Sequence, residues 1–188
     1  MSLQHGILGL LSYKSMSGYD LNKVFNESIN HFWSAQLSQI YRVLGNLEDK
    51  GYVSSQVEHQ EGRPDKKIYS ITDEGKKEFR NWMNDNPEQL LSPIRDEFMI
   101  RIFFSSLLPK EETIFQLERY NKQAQELLKH CHSEDQVIDK YAEELSLPND
   151  KLYWRLTLKK GKMITEALVR WSEECIEELK QAQKEHQK

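Results

Sequence analysis

The sequence has few residues that interrupt helices, with only five prolines and eight glycines among 188 residues. This scarcity favours a mostly helical protein. No apolar run approaches the roughly 20 residues that a transmembrane helix requires. The run from Ile7 to Leu11 is too short for the hydrophobic region of a signal peptide, and it lacks a basic start and a cleavage site. We therefore expect a cytoplasmic protein.

Cysteine is scarce as well, since Cys131 and Cys175 are the two present and neither belongs to a C-x-x-C pair. This usage suits a reducing compartment. His130 and His132 flank Cys131, but consecutive residues of a helix diverge and would not converge on one metal ion. Glycine-rich phosphate loops and the G-x-S-x-G and H-E-x-x-H motifs are missing too. We expect no metal, no cofactor and no enzymatic activity.

Charged residues make up 30% of the chain and hydrophobic residues 38%, a composition typical of long, solvated helices. The length fits one large domain or two small ones. The net charge is −4, and residues 1–85 hold ten Lys and Arg against eleven Asp and Glu. A protein with this balance can bind nucleic acid only if its cations are concentrated on one face.

The stretch from Ser34 to Val53 predicts an amphipathic helix that ends at Gly51, followed by an extended segment. Its apolar stripe has helical spacing and consists of Leu37, Ile40, Val43, Leu44 and Leu47. The opposite face carries small and polar residues, namely Ala35, Ser38, Arg42, Gly45 and Asn46, with Gln39 at its edge. Such a face can enter a groove of DNA, where Arg and Gln recognise base edges. An ordinary surface helix has the same stripe, so both interpretations stay open at this point.

Two shorter helices precede this one, over residues 2–14 and 18–26, with a turn at residues 15–18 between them. We expect Ser17 and Ser34 to cap the second and third helices. This order predicts a helix-turn-helix. Residues 52–60 and 66–71, separated by turn-forming residues, predict a β-hairpin of the kind called a wing. A helix capped by Thr72 or Asp73 follows.

After the helix that follows the hairpin, the spacing of apolar residues predicts further helices over residues 94–107, 110–145 and 148–182. Residues 86–93 are rich in turn-forming residues and predict a linker, so we place one domain at residues 1–86 and a second, all-helical domain at 87–188. The predicted fold is mainly α. The last helix carries an apolar stripe that indicates packing against a second copy of the chain; the alternative is that the long helices pack only on each other. Its residues Leu156, Ile164, Leu168, Trp171 and Cys175 are the candidate dimer interface.

Several fragments of the N-terminal half together resemble the PadR family of bacterial transcriptional regulators. They are Ser17-Gly18-Tyr19-Asp20-Leu21, Phe32-Trp33, Gln39-Ile40-Tyr41-Arg42-Val43-Leu44, the run from Leu47 to Val53, Gly62-Arg63-Pro64 and the run from Lys67 to Gly75. Arg42 is a departure, because the family often has proline after the tyrosine. In the C-terminal half, residues 95–98 and 153–161 resemble the longer type of this family.

The resemblance implies a winged helix-turn-helix repressor that binds an operator in double-stranded DNA and forms a homodimer through its C-terminal helices. Some members of the family release DNA when a phenolic acid or a planar hydrophobic compound binds. Aromatic residues that could line such an effector site are Tyr19, Phe32, Trp33, Phe98, Phe103, Tyr153 and Trp154, but aromatic residues at helical spacing are more often core. A winged-helix module that binds only proteins is the alternative function.

The candidate DNA contacts lie on the third helix and on the wing. On the helix, Gln36, Ser38, Gln39 and Arg42 are expected in the major groove. Ser34 is expected to cap the helix or to hold a phosphate at its N-terminus, and Tyr41 either touches the DNA backbone or packs in the core. On the wing, the candidates are Arg63, Lys66 and Lys67. Glu58, Glu61 and Asp65 lie close to them in sequence, so these cations are either phosphate contacts or part of a solvated hairpin.

Overall fold

The computed structural model describes residues 2–30, 32–60, 62, 65–85, 87–88, 90–91 and 95–186. Its elements, in chain order, are α1 (Ser2–Tyr13), β1 (Met16–Ser17), α2 (Gly18–Ser28), α3 (Leu37–Asp49), β2 (Val53–Glu58), β3 (Lys66–Ile71), α4 (Asp73–Asn84), α5 (Glu97–Phe103), a 3-10 turn (Ser105–Leu107), α6 (Lys110–Glu144) and α7 (Pro148–His186). The mainly helical fold class predicted from the sequence is confirmed. None of the helices in this part of the chain combines the length and the apolar character that a membrane crossing requires.

The chain divides into two compact units, one of Met1–Glu88 with Val137–Asp150 and one of Gln89–Gln136 with Lys151–Lys188. The sequence-based division had placed residues 137–150 in the second domain. In the structure, they group with the first because two tyrosines tie them to its helices. The Tyr141 hydroxyl donates to Glu27 of α2 at 2.6 Å, and the Tyr13 hydroxyl of α1 donates to Asp150 at 3.0 Å.

The core of the first unit is an apolar cluster shared by its helices and sheet. Its fully buried members include Ile7 and Leu8 of α1, Leu21 and Phe25 of α2, and Ile40, Leu44 and Leu47 of α3. Val53 and Tyr69 of the sheet complete the cluster. Ile40, Leu44 and Leu47 belong to the stripe predicted from helical spacing, and Val43 is partly buried against them. Leu37, in the first turn, is 40% exposed, so the predicted inward face is wrong at this end of the helix.

The sheet has three antiparallel strands in the order β1-β3-β2. β2 and β3 form the predicted hairpin, in register from Val53 opposite Ile71 to Glu58 opposite Lys66. The third strand was predicted as a turn, but Met16 and Ser17 pair with Tyr69 and Ile68. This strand also places Ser17 at the start of α2, where its side chain accepts a hydrogen bond from the Asp20 amide, as expected of an N-cap.

The two ends of α3 differ in how well the sequence predicted them. The C-terminal end is confirmed, because Gly51 has a φ of +72° and the Tyr52 amide donates to the Leu47 carbonyl at 2.9 Å. The N-terminal end was placed too early. Gln36, not Ser34, is the N-cap. The Gln36 amide donates to the side-chain oxygen of Gln39 at 3.0 Å, and the Gln39 backbone amide donates back to the Gln36 carbonyl at 2.9 Å, so the two bonds fix the first turn there.

In the second unit, α6 and α7 run antiparallel and are joined by polar contacts along their length. The Asn121 amide donates to the Ser172 hydroxyl at 2.9 Å, Lys180 pairs with Glu118 at 2.9 Å, and Lys162 pairs with Asp135. Because such bonds require matched positions on both helices, they fix the register of the pair.

Candidate nucleic-acid interface

The outward face of α3 carries the polar residues that the sequence singled out. Ile40, Leu44 and Leu47 are at most 1% exposed, whereas Ser38 and Arg42 are exposed to solvent. A helix buried on one face and polar on the other can offer its polar face to a ligand without disturbing the core. The candidate contacts Gln36, Gln39 and Tyr41 are exposed as well.

The N-terminus of α3 differs from the expected arrangement, and this bears on two candidates. Ser34 is exposed but lies two residues before the N-cap, so the expectation that it caps the helix is wrong. The side-chain oxygen of Gln39 is used in holding the Gln36 amide. This oxygen can accept a second hydrogen bond, so a contact from Gln39 to a base can use either the oxygen or the amide nitrogen.

Tyr41 was expected either to touch the DNA backbone or to pack in the core, and in the structure it is partly packed at the surface. Its side chain is 45% exposed, so it is not a core residue. One edge of its ring packs against Gly18 at the start of α2, so closely that a Cβ added to Gly18 would lie 2.4 Å from the Tyr41 ring. The ring is thus fixed between the two helices of the helix-turn-helix, and its hydroxyl lies beside the N-terminus of α2.

The wing lysines are held by acidic residues of the helices. Lys66 Nζ lies 3.1 Å from Asp20 Oδ2 of α2, and Lys67 Nζ lies 2.8 Å from Glu48 Oε2 of α3. Hydroxyl groups fix both carboxylates, because Ser17 donates to Asp20 at 2.7 Å and Ser55 donates to Glu48. The sequence had suggested Glu58, Glu61 and Asp65 as the nearby acids, but the structure gives both lysines partners far away in the chain. Arg63 and Glu61 lie outside the described residues.

These contacts shift the titration of the groups involved. The Lys67 ammonium, and next the Ser55 hydroxyl, hold the pKa of Glu48 below its ordinary value. The hydrogen bond to Glu48 in turn raises the pKa of Lys67. The Ser17 hydroxyl, followed by Lys66, lowers the pKa of Asp20. Both carboxylates are therefore ionised at neutral pH, and each neutralises one wing cation.

The candidate dimer residues of α7 differ in their exposure. Leu156 and Ile164 are 54% and 49% exposed, whereas Leu168, Trp171 and Cys175 are half-buried. Trp171 packs edge-on against Tyr120 of α6, with ring centroids 5.5 Å apart. The fully buried residues of α7 recur every seven positions and are Leu158, Thr165 and Ser172. The predicted stripe therefore includes residues that are packed within the chain and residues that are exposed. Leu156 and Met163, seven positions apart, form an exposed apolar ridge on this helix.

These features define a winged helix-turn-helix unit followed by a unit built on two long helices. Residues 7–81 match the Transcriptional regulator PadR-like family, and residues 94–180 match the family described as Virulence activator alpha C-term. The Negative transcriptional regulator PadR of Bacillus subtilis is 31% identical over 176 residues, which cover 93% of this chain and 95% of that protein. The chain belongs to the PadR family of transcriptional regulators.

Solved structures agree with this assignment over nearly the whole chain. Bacillus subtilis PadR in complex with operator DNA superposes with a TM-score of 0.78 at 28% identity, covering 95% of this chain and 99% of that one. The same protein in complex with p-coumaric acid superposes with a TM-score of 0.72 at 27% identity, covering 96% and 99%. Two ligand states of one relative thus share the fold seen here.

Proposed function

We propose that the chain is a sequence-specific, DNA-binding repressor that acts as a homodimer, with the winged helix-turn-helix of the first unit binding DNA and the helices of the second unit forming the dimer. The observation that carries this proposal is the outward face of α3, where Ser38 and Arg42 are exposed while the opposite face is buried. The operator complex of the relative supports it. In this proposal α3 enters the major groove through Gln36, Ser38, Gln39 and Arg42, and Lys66 and Lys67 contact phosphates beside it.

A dimer would place two copies of α3 on one side of the duplex. Half-sites should then lie about one helical turn, roughly 34–36 Å, or a small multiple of it apart. We further propose that a small hydrophobic or phenolic effector releases the DNA, an idea supported by the complex of the relative with p-coumaric acid.

Selection of duplexes from a random pool tests the DNA-binding function. The full-length protein should enrich one two-fold symmetric sequence, and a gel shift with that sequence should weaken steeply as salt increases. A winged-helix module that binds only proteins would enrich no sequence. The same assay on the DNA upstream of the chain's own gene tests for autoregulation.

Substitution of Leu156 by glutamate tests the dimer, because Leu156 lies on the exposed ridge of α7 and not on its buried face. An unpaired carboxylate buried in an interface costs roughly 2 kcal/mol or more, so Leu156→Glu should weaken the dimer by about 30-fold or more. Light scattering over a dilution series measures this change. Leu156→Met keeps an apolar side chain and should preserve the dimer. Wild-type protein that is monomeric at micromolar concentration would contradict the proposal.

A further inference from the structure

Each of the two wing lysines forms an ion pair with a carboxylate of the same unit. Lys66 and Lys67 are consecutive in β3, so their side chains leave opposite faces of the strand. One reaches Asp20 of α2 and the other reaches Glu48 of α3. In the DNA-free chain, the wing therefore presents two neutralised cations.

From this arrangement, we infer that Glu48 and Asp20 mask the wing lysines in the free protein and that DNA phosphates displace them on binding. The inference rests on the proposed DNA-binding function and adds an autoinhibitory role for the two acids. In this inference, Glu48 lowers DNA affinity by holding Lys67, in addition to any repulsion between its own charge and a phosphate.

The geometry favours masking over a merely structural role. The Lys67 side chain is 46% exposed and that of Glu48 is 32% exposed, so the pair is solvated. Exposed ion pairs are weak, and a phosphate can replace the carboxylate at little cost. The position of the wing does not require these pairs, because β3 bonds to a strand on each side and Tyr69 and Val53 anchor the sheet in the core.

The serine contacts make the carboxylates the fixed partners and the lysines the mobile ones. Ser17 and Ser55 each donate a hydroxyl to one acid, which stays in place when the lysine leaves. A lysine stem is long and flexible, so its ammonium can turn from the acid to a phosphate close to the wing. Duplexes that admit α3 into their groove bring phosphates close, whereas other duplexes leave the lysines masked. Masking should therefore lower affinity most for the duplexes whose binding displaces the acids, because only there is the ion pair broken.

Glu48→Gln tests the inference in full-length protein with two duplexes, the sequence selected from the random pool and one of unrelated sequence. We expect Glu48→Gln to raise affinity for the selected duplex about threefold, the scale of an exposed ion pair, and affinity for the unrelated duplex by less. Lys67→Met should weaken binding and reduce the salt slope by about 0.9. In the Lys67→Met background, Glu48→Gln should have no further effect.

A matched control separates masking from a simple change in net charge. Asp49→Asn removes the same charge from the next residue of the same helix, and its effect should be small and equal with and without Lys67. Unchanged or weakened binding in Glu48→Gln, or an equal gain in the Lys67→Met background, overturns the inference while leaving the proposed function intact. If the wild-type protein binds neither duplex, the proposed function fails, and the inference fails with it.

Discussion

Replacing Gly75 by alanine is expected to lower the free energy of unfolding by about 3 kcal/mol or more, the upper range for overpacking a buried site. Gly75 lies in the first turn of α4 and is buried. A Cβ at this position would lie 2.1 Å from the Tyr52 carbonyl oxygen and 2.9 Å from Cγ1 of Ile71. A separation of 2.1 Å is far below van der Waals contact, so the backbone itself would have to move.

The backbone around Tyr52 has little freedom to move. The Tyr52 carbonyl accepts the Thr72 amide at 3.0 Å, and the Tyr52 amide donates to Leu47 at the end of α3. Val53, the next residue, is 2% exposed and lies in the core. Moving the carbonyl away from a new methyl group would disturb the end of α3, the start of β2 and the cap of α4 together.

Thermal unfolding followed by circular dichroism measures this effect. For a chain of this size, a loss of 3 kcal/mol corresponds to a fall in Tm of roughly 6–12 °C. Gly45→Ala is the matched control, because a Cβ at Gly45 in α3 meets nothing within 4 Å. Alanine favours helix by about 1 kcal/mol over glycine, so this control should be neutral or stabilising. Equal stability of Gly75→Ala and the wild type would show that the close approach does not exist in solution.

The parts of the fold that the sequence predicted depend on local signals. Ser17 and Thr72 cap their helices through bonds to residues three positions away, so the pattern is visible in a short window. Gly51 ends α3 because a positive φ suits glycine. Helical spacing identified most of the inward face of α3, and with it the exposure of Ser38 and Arg42.

The errors concern features that local sequence does not determine. Serine is preferred over glutamine at N-caps, so the local sequence favoured Ser34. The hydrogen bond from the Gln36 amide to the Gln39 side chain instead makes Gln36 the N-cap of α3. β1 has only two residues, and it becomes a strand because β3 passes beside it. The ion pair of Lys66 with Asp20 spans 46 positions, and no local pattern reveals a partner at that distance.

The stripe of α7 shows a related limit. Hydrophobicity alone does not say which apolar residues meet a neighbour in the same chain and which stay exposed. In α7, two of the most buried positions are Thr165 and Ser172, while Leu156 and Met163 are exposed. The side facing α6 is therefore partly polar, and the exposed ridge carries larger apolar residues. Candidate dimer residues are better chosen from that ridge.

Substitution of Arg42 by alanine is expected to have the largest effect on DNA affinity among the proposed contacts. Arg42 is exposed in the second turn of α3, on the polar face opposite Ile40 and Leu44. An arginine that contacts guanine through two hydrogen bonds contributes about 1–3 kcal/mol of discrimination, so affinity for the selected duplex should fall roughly 5- to 150-fold. Titration of labelled duplex at fixed salt measures the loss. Arg80→Ala is the matched control, because Arg80 is an exposed arginine of α4 outside the proposed interface.

Arg42→Lys then identifies the group that Arg42 contacts, because lysine keeps the charge but loses the planar pair of donors. If Arg42 contacts a phosphate, lysine should retain most of the affinity, and alanine should reduce the salt slope by about 0.9. If Arg42 contacts guanine, lysine should bind nearly as weakly as alanine, and both variants should relax the base preference at one position of the half-site. Wild-type affinity in Arg42→Ala, with Arg80→Ala equally unchanged, would show that Arg42 does not contact DNA. The contacts would then be sought at Gln36 and Ser38, at the N-terminal end of the same face.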